Sequence, residues 1–101
     1  MINISLVDNI LKERKNLHPD DPALIELWDR LTGIFIQDED ETIAYLKNCS
    51  KENVKWISEI FEDISLALQS TKFIDCIEEL SEKYPDLDLY YDILFAKSSL
   101  K

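Results

Sequence analysis

The chain has 101 residues, of which 46% are hydrophobic, and carries 21 Asp and Glu against 11 Lys and Arg, a formal net charge of -10. This charge disfavours nucleic acid as a partner, because binding a polyphosphate requires a surface rich in Lys and Arg. Apolar residues are spread along the whole chain, which favours one folded domain, residues 1–101, over a disordered acidic tail.

The first two helices are predicted from apolar spacing and from turn residues. Apolar side chains recur at three- and four-residue steps near residues 4–17, and Arg14 falls on the same stripe. Asp21 is the expected N-cap of the second helix, with Pro22 at its first helical position. This helix should run to about Thr32, or past the glycine that follows it and into the core.

Four further helices are predicted after it. Acidic residues 38–41 suit the first turn of a short third helix, because carboxylates stabilise the positive end of the helix dipole. Ser50 should cap a long central helix near 51–69 with a broad apolar face. Ser70 should cap a fifth at 71–83, and a sixth follows near 87–98. We therefore expect a single compact all-α domain of five or six helices, packed as an antiparallel bundle or as stacked helical hairpins.

Residue types that support catalysis or metal binding are scarce. The two cysteines, Cys49 and Cys76, lack a CxxC spacing and His18 is the only histidine, so we expect two free thiols and no zinc site. The single glycine leaves no phosphate-cradling loop, and the acidic run lacks the pattern of a calcium loop. We expect no enzyme activity, no catalytic or metal-binding residue and no cofactor.

Membrane association is not expected either. No apolar run approaches the roughly 20 residues that span a bilayer, and the N-terminus lacks a basic region followed by a long apolar stretch. We therefore expect a cytoplasmic protein.

The acidic residues gather into three regions. Four carboxylates at i, i+3, i+4 and i+7 share one face of the predicted fifth helix: Asp75, Glu78, Glu79 and Glu82. A second stripe on the predicted fourth helix consists of Glu52, Trp56, Glu59 and Asp63, with Glu62 beside it. An aromatic side chain flanked by carboxylates suits docking of a cationic surface. The alternative for either stripe is a solvated helix face.

The third region surrounds a proline turn. It contains Asp86, Asp88, Asp92, Tyr90 and Tyr91. Tyrosines at a helix start offer rigid contact area, and the neighbouring carboxylates can receive Arg or Lys from a partner. Alternatively, an Asp caps the sixth helix while one tyrosine packs inward, because adjacent helical residues point about 100° apart.

This combination resembles the immunity proteins of bacterial toxin systems, including the colicin-nuclease type. The resemblance lies in the charge balance and in a set of residues: Glu52, Glu59, Glu62 and Asp63, with Asp88, Tyr90, Tyr91 and Asp92. It implies stoichiometric inhibition of a basic nuclease toxin, with Trp56 and a tyrosine as anchors and carboxylates at the rim. The partner would be a basic protein, and we favour a monomer when the partner is absent.

Two other interpretations remain open. One is a helical adaptor whose groove binds an amphipathic peptide, which a long exposed apolar groove would support. The other is an acidic mimic of nucleic acid that occupies a DNA-binding regulator, which differs from an immunity protein only in its partner.

Overall fold

Seven α-helical segments and two short 3-10 turns build the protein in a computed structural model that describes residues 2–101. The helices are α1 (Ile4–Asn16), α2 (Ala23–Phe35), α3 (Glu39–Asn48), α4 (Lys51–Ile57), α5 (Phe61–Leu68), α6 (Thr71–Lys83) and α7 (Tyr90–Ser98). The turns are Ser58–Ile60, between α4 and α5, and Pro85–Leu87, before α7. The described residues contain no strand, and the prediction of a compact all-α domain is confirmed.

Polar side chains cap the start of four helices. Asn3, Asp38, Ser50 and Ser70 each accept a hydrogen bond from the backbone N–H three residues further on. The predicted caps at Ser50 and Ser70 are therefore confirmed. At α2 the prediction was wrong by one residue: Pro22 is the N-cap, although the Asp21 carboxylate still accepts from the Ala23 N–H at 2.9 Å.

The predicted continuous helix over 51–69 is wrong, because a 3-10 turn divides it into α4 and α5. Inside this turn the Ser58 hydroxyl donates to the Lys55 carbonyl oxygen at 2.6 Å. Such local side-chain bonds compete with the regular backbone pairing of a helix. The turn keeps Ile57, Ile60 and Phe61 all in the core, so the break costs no apolar burial.

The last helix begins later than the predicted position near residue 87. Pro85–Leu87 forms the second 3-10 turn, and Asp88 follows it in the left-handed region at φ 53°. Asp tolerates this conformation better than most residues, but it cannot continue a right-handed helix. α7 therefore starts at Tyr90.

Three helices in the C-terminal half set the position of the candidate site. The Ser65 hydroxyl of α5 donates to the Ala96 carbonyl of α7 at 2.7 Å, and the Gln69 amide, just after α5, donates to the Ser99 carbonyl at 2.9 Å. The rising residue numbers show that α5 and α7 lie side by side and run parallel. α6, which lies between α5 and α7 in the sequence, reverses the chain direction and packs against α3 and α7.

Candidate functional site

The Glu59 carboxylate, a predicted contact residue, belongs to an ion pair inside the molecule. Arg14 is only 5% exposed, and its Nε and Nη2 each donate to one Glu59 oxygen at 2.6 Å. Trp28 Nε1 also donates to Glu59, at 3.1 Å. The hydrogen bond to Glu59 is the main reason that the pKa of Arg14 is raised. This bidentate geometry is the strong form of the Arg–carboxylate pair.

Trp56, the predicted anchor of the same stripe, packs against this ion pair. The Arg14 guanidinium lies 4.5 Å from the centre of its ring, and Lys55 Nζ lies 4.8 Å from it. We call Arg14, Trp28, Trp56 and Glu59 the Arg14 cluster. The sequence pattern places Arg14 on the apolar stripe of α1, but no local signal indicates that its partner lies 45 positions further along the chain.

The other carboxylates of this stripe are more accessible. Glu52 is exposed and pairs with Lys15 at 3.2 Å. Glu62 and Asp63 are exposed on α5 and form no ion pair within residues 2–101. The stripe therefore divides into Glu59, whose carboxylate is bonded to Arg14 and Trp28, and a part on α5 without a counter-charge among the described residues.

The acidic stripe on α6 faces solvent for most of its length. Asp75, Glu79 and Glu82 are exposed, whereas Glu78 is half-buried and pairs with Lys97 of α7 at 2.9 Å. Among the described residues, Lys97 is the one cation that pairs with this stripe. The remaining three carboxylates are available to a partner.

α7 exposes much of its apolar surface. Tyr90 and Tyr91 are 63% and 64% exposed, and Leu94 and Phe95 are exposed as well. The two tyrosine rings meet edge to face with their centroids 5.1 Å apart. The alternative in which one tyrosine packs inward is therefore wrong, because Leu89, Ile93 and Ala96 fill the inner side of this segment. We call Tyr90, Tyr91, Leu94 and Phe95 the α7 surface.

The α7 surface continues onto α5 on one side. Because Ser65 bonds to Ala96 across two parallel helices, Leu66 and Phe95 lie on the same side of the pair. Leu66 is exposed, and Glu62 lies one turn before it. The sequence analysis did not single out Leu66, Leu94 or Phe95 as exposed. The available signal was the nearly uniform apolar character of α7, which no single packing face can bury.

On its other side, the α7 surface borders a groove of about 400 Å³ between α6 and α7. Its walls are Glu78, Ser81, Glu82, Tyr90, Ile93, Leu94 and Lys97. Two carboxylates of the α6 stripe and one tyrosine of the pair, Tyr90, therefore meet in one concavity.

Carboxylates also surround the start of α7. Desolvation raises the pKa of Asp92, and the negative charges of Glu59 and Asp88 raise it further. Asp86 is exposed and accepts a hydrogen bond from Lys51, which lowers the pKa of Asp86. Burial and the neighbouring negative charges therefore both oppose ionisation of Asp92.

A second, more apolar cavity of about 540 Å³ lies between α1, α3 and α4. On its wall, the Tyr45 hydroxyl donates to Asp8 at 2.8 Å. Burial raises the pKa of Cys49, also on its wall, and of buried Cys76 to about 11 each, so these free thiols are protonated at neutral pH. Neither cysteine has the lowered pKa of a nucleophile.

Within residues 2–101, no group of three or more His, Cys, Asp and Glu side chains is arranged to hold a metal ion. None of the helices described is both long enough and apolar enough to cross a membrane. Comparisons with protein-family models, curated proteins and solved structures give no match to the chain. The functional argument therefore starts from the surface itself.

Proposed function

We propose that this chain is an immunity protein: a non-catalytic, cytoplasmic binding protein that neutralises a cationic cognate toxin by forming a tight stoichiometric complex. The observation that carries the proposal is the α7 surface, where exposed tyrosine, leucine and phenylalanine side chains adjoin carboxylates. Contiguous exposed apolar area on a small protein marks interaction sites. The net charge of -10 selects a basic partner for this site.

The proposed mechanism is exclusion of the toxin's substrate. A nuclease toxin needs a basic surface to bind nucleic acid, so an anionic protein is drawn to that same surface at a high association rate. The side chains of the α7 surface would supply most of the affinity as buried anchors, and the rim carboxylates would mainly set rate and specificity. Neither nucleic acid nor a membrane is a partner in this scheme.

The proposed contact set differs from the residues suggested by sequence spacing. It keeps the tyrosine pair and the exposed or half-buried carboxylates on three segments: Glu52, Glu62 and Asp63; Asp75, Glu78, Glu79 and Glu82; and Asp86, Asp88 and Asp92. It adds Leu66, Leu94 and Phe95. Glu59 and Trp56 are assigned to the fold, because Arg14 already occupies the carboxylate and one face of the ring.

A helical adaptor that binds a peptide or a basic regulatory protein is the second candidate. The row formed by Leu66, Tyr91 and Phe95 favours it, since such a row suits the apolar face of an amphipathic helix. An adaptor that binds the apolar face of a peptide differs from an immunity protein in the dependence of binding on salt, whereas an adaptor for a basic regulatory protein differs from it in leaving no toxin activity inhibited. Charge-steered binding weakens as salt rises, whereas binding through apolar contacts changes little.

Co-purification from the native host at moderate salt tests the proposal, with mass identification of bound proteins and an assay of their nuclease activity. We expect one basic protein in equal amount, whose nucleic-acid cleavage is inhibited by this chain at a one-to-one ratio. Association should slow markedly between low and physiological salt. A partner without net positive charge, or binding that leaves its activity intact, would contradict the immunity proposal.

A further inference from the structure

The groove between α6 and α7 combines three features in one small space. Glu78 and Glu82 lie one helical turn apart on its α6 wall, and the exposed ring of Tyr90 stands on the α7 wall. Ile93 and Leu94 add apolar surface between them. A carboxylate, an aromatic ring and an apolar wall are the three surfaces that a long cationic side chain contacts when it binds.

The groove already holds one cation of the chain itself. Lys97 enters at one end and pairs with Glu78 at 2.9 Å. Glu82, the other carboxylate on the α6 wall, is exposed. Its side chain forms no hydrogen bond or ion pair within the described residues. One of the two carboxylates in the groove is therefore satisfied, and the other lacks a counter-charge.

We propose that this groove receives an arginine side chain of the basic partner, with the guanidinium on Glu82 and against the Tyr90 ring. This inference rests on the proposed function, since it names how the cationic partner is recognised. Arginine fits better than lysine, because its planar guanidinium bonds to a carboxylate in a fork and stacks on an aromatic ring at the same time. A second copy of this acidic chain is disfavoured by like-charge repulsion.

Short peptides test the inference without the partner. The probes are an acetylated Gly-Arg-Gly amide, the matching lysine peptide, and the matching citrulline peptide, which has nearly the shape of arginine without its charge. Each is titrated at low salt into the uniformly ¹⁵N-labelled chain while backbone amide shifts are followed. We expect the arginine peptide to shift amides around Glu82, Tyr90 and Leu94, with an affinity about threefold or more above that of lysine. Citrulline should leave them unshifted.

Two variants on α6 provide a matched pair. Glu82→Gln removes the free carboxylate in the groove, and Glu79→Gln removes an exposed carboxylate on the same helix that does not line it. Both change the net charge equally, and the spectra themselves report whether the fold is intact. Glu82→Gln should weaken arginine-peptide binding about threefold or more relative to Glu79→Gln. Equal effects of the two variants, or equal binding of the arginine and lysine peptides, would overturn the inference.

The arginine site in the groove and the proposed immunity function can be contradicted independently of each other. If the arginine peptide binds in the groove but no basic protein co-purifies, the site stands and the immunity proposal falls. If a basic toxin is recovered and binds the two variants equally well, the function stands and the groove is not its arginine site.

Discussion

The Arg14 cluster and the α7 surface are built from the same kinds of residue but have opposite relations to solvent. Both place aromatic rings beside carboxylates. In the Arg14 cluster the cation comes from the chain itself, and Arg14 is bonded to Glu59 and lies over Trp56. At the α7 surface the rings are exposed, and most nearby carboxylates lack a cation within the described residues.

The comparison teaches that an aromatic residue among carboxylates is not by itself a binding site. What matters is whether the counter-charge lies within the fold. Where it does, the group links helices, as Arg14 of α1 links to Trp28 of α2 through Glu59. Where it does not, the same chemistry is exposed to solvent, as at the α7 surface.

Removing the Glu59 carboxylate should have the largest effect on the protein alone. Glu59→Gln leaves the buried Arg14 guanidinium without its charged partner, and a buried charge that loses its counter-charge is strongly destabilising. Because the Glu59 side chain is still 27% exposed, we expect a loss of about 2 kcal/mol in the free energy of unfolding. Urea unfolding followed by circular dichroism measures it.

Glu62→Gln is the matched control for this substitution, since Glu62 is exposed and carries no ion pair among the residues described. Its unfolding free energy should stay within about 0.5 kcal/mol of the parent. Similar losses for both variants would mean that the Arg14 cluster is not a special stabilising contact.

At the α7 surface the effect should fall on binding instead of stability. Tyr91→Ser removes a ring that is 64% exposed, so the unfolding free energy should change by no more than about 0.5 kcal/mol. The dissociation constant of the complex with the basic partner should rise about tenfold or more, as expected for loss of an aromatic anchor. Titration calorimetry on the purified complex components measures this ratio.

Ile25→Ser tests whether loss of any exposed apolar side chain would weaken binding of the partner as Tyr91→Ser is expected to do. Ile25 is 62% exposed on α2, outside the proposed contact set. Its variant should bind the partner as tightly as the parent does. If Ile25→Ser weakened the complex as much as Tyr91→Ser, the α7 surface would not be the docking face.

The smallest effect is expected at Asp92, which lies between the two regions. Burial and the charges of Glu59 and Asp88 raise its pKa in the folded protein. Because its pKa is raised in the folded protein, Asp92 favours folding more when it is protonated than when it is ionised. The stability that protonation of Asp92 provides is therefore complete below its unfolded-state pKa and is lost as pH rises through its folded-state pKa. Asp92→Asn should therefore equal the parent near pH 3 and exceed it at pH 7, by a few tenths of a kcal/mol as for like-charge pairs one turn apart.

Thermal unfolding of parent and variant from pH 3 to pH 7 measures this difference. Asp63→Asn is the control, because Asp63 is exposed on α5. A stability gap that failed to widen with pH for Asp92→Asn would show that the ionised side chain is not opposed by its neighbours.

The sequence by itself determined the helical class, most helix positions and the caps at Ser50 and Ser70. These features depend on hydrogen bonds and apolar spacing within a few residues, so they can be read locally. The two places where the predicted helix bounds were wrong also have local causes. The turn at Ser58–Ile60 and the left-handed Asp88 interrupt patterns whose apolar periodicity continues through them.

Only the tertiary structure decided which acidic residues have a counter-charge within the fold and which do not. Glu59 and Glu62 belong to the same acidic region in the sequence, but Arg14, 45 positions before Glu59, pairs with Glu59. Likewise, helix periodicity excluded only that both tyrosines face the core and left open that one of them packs inward; both are exposed because α5 and α6 cover only the inner side of α7. Such outcomes depend on contacts between distant segments, which a local sequence pattern does not encode.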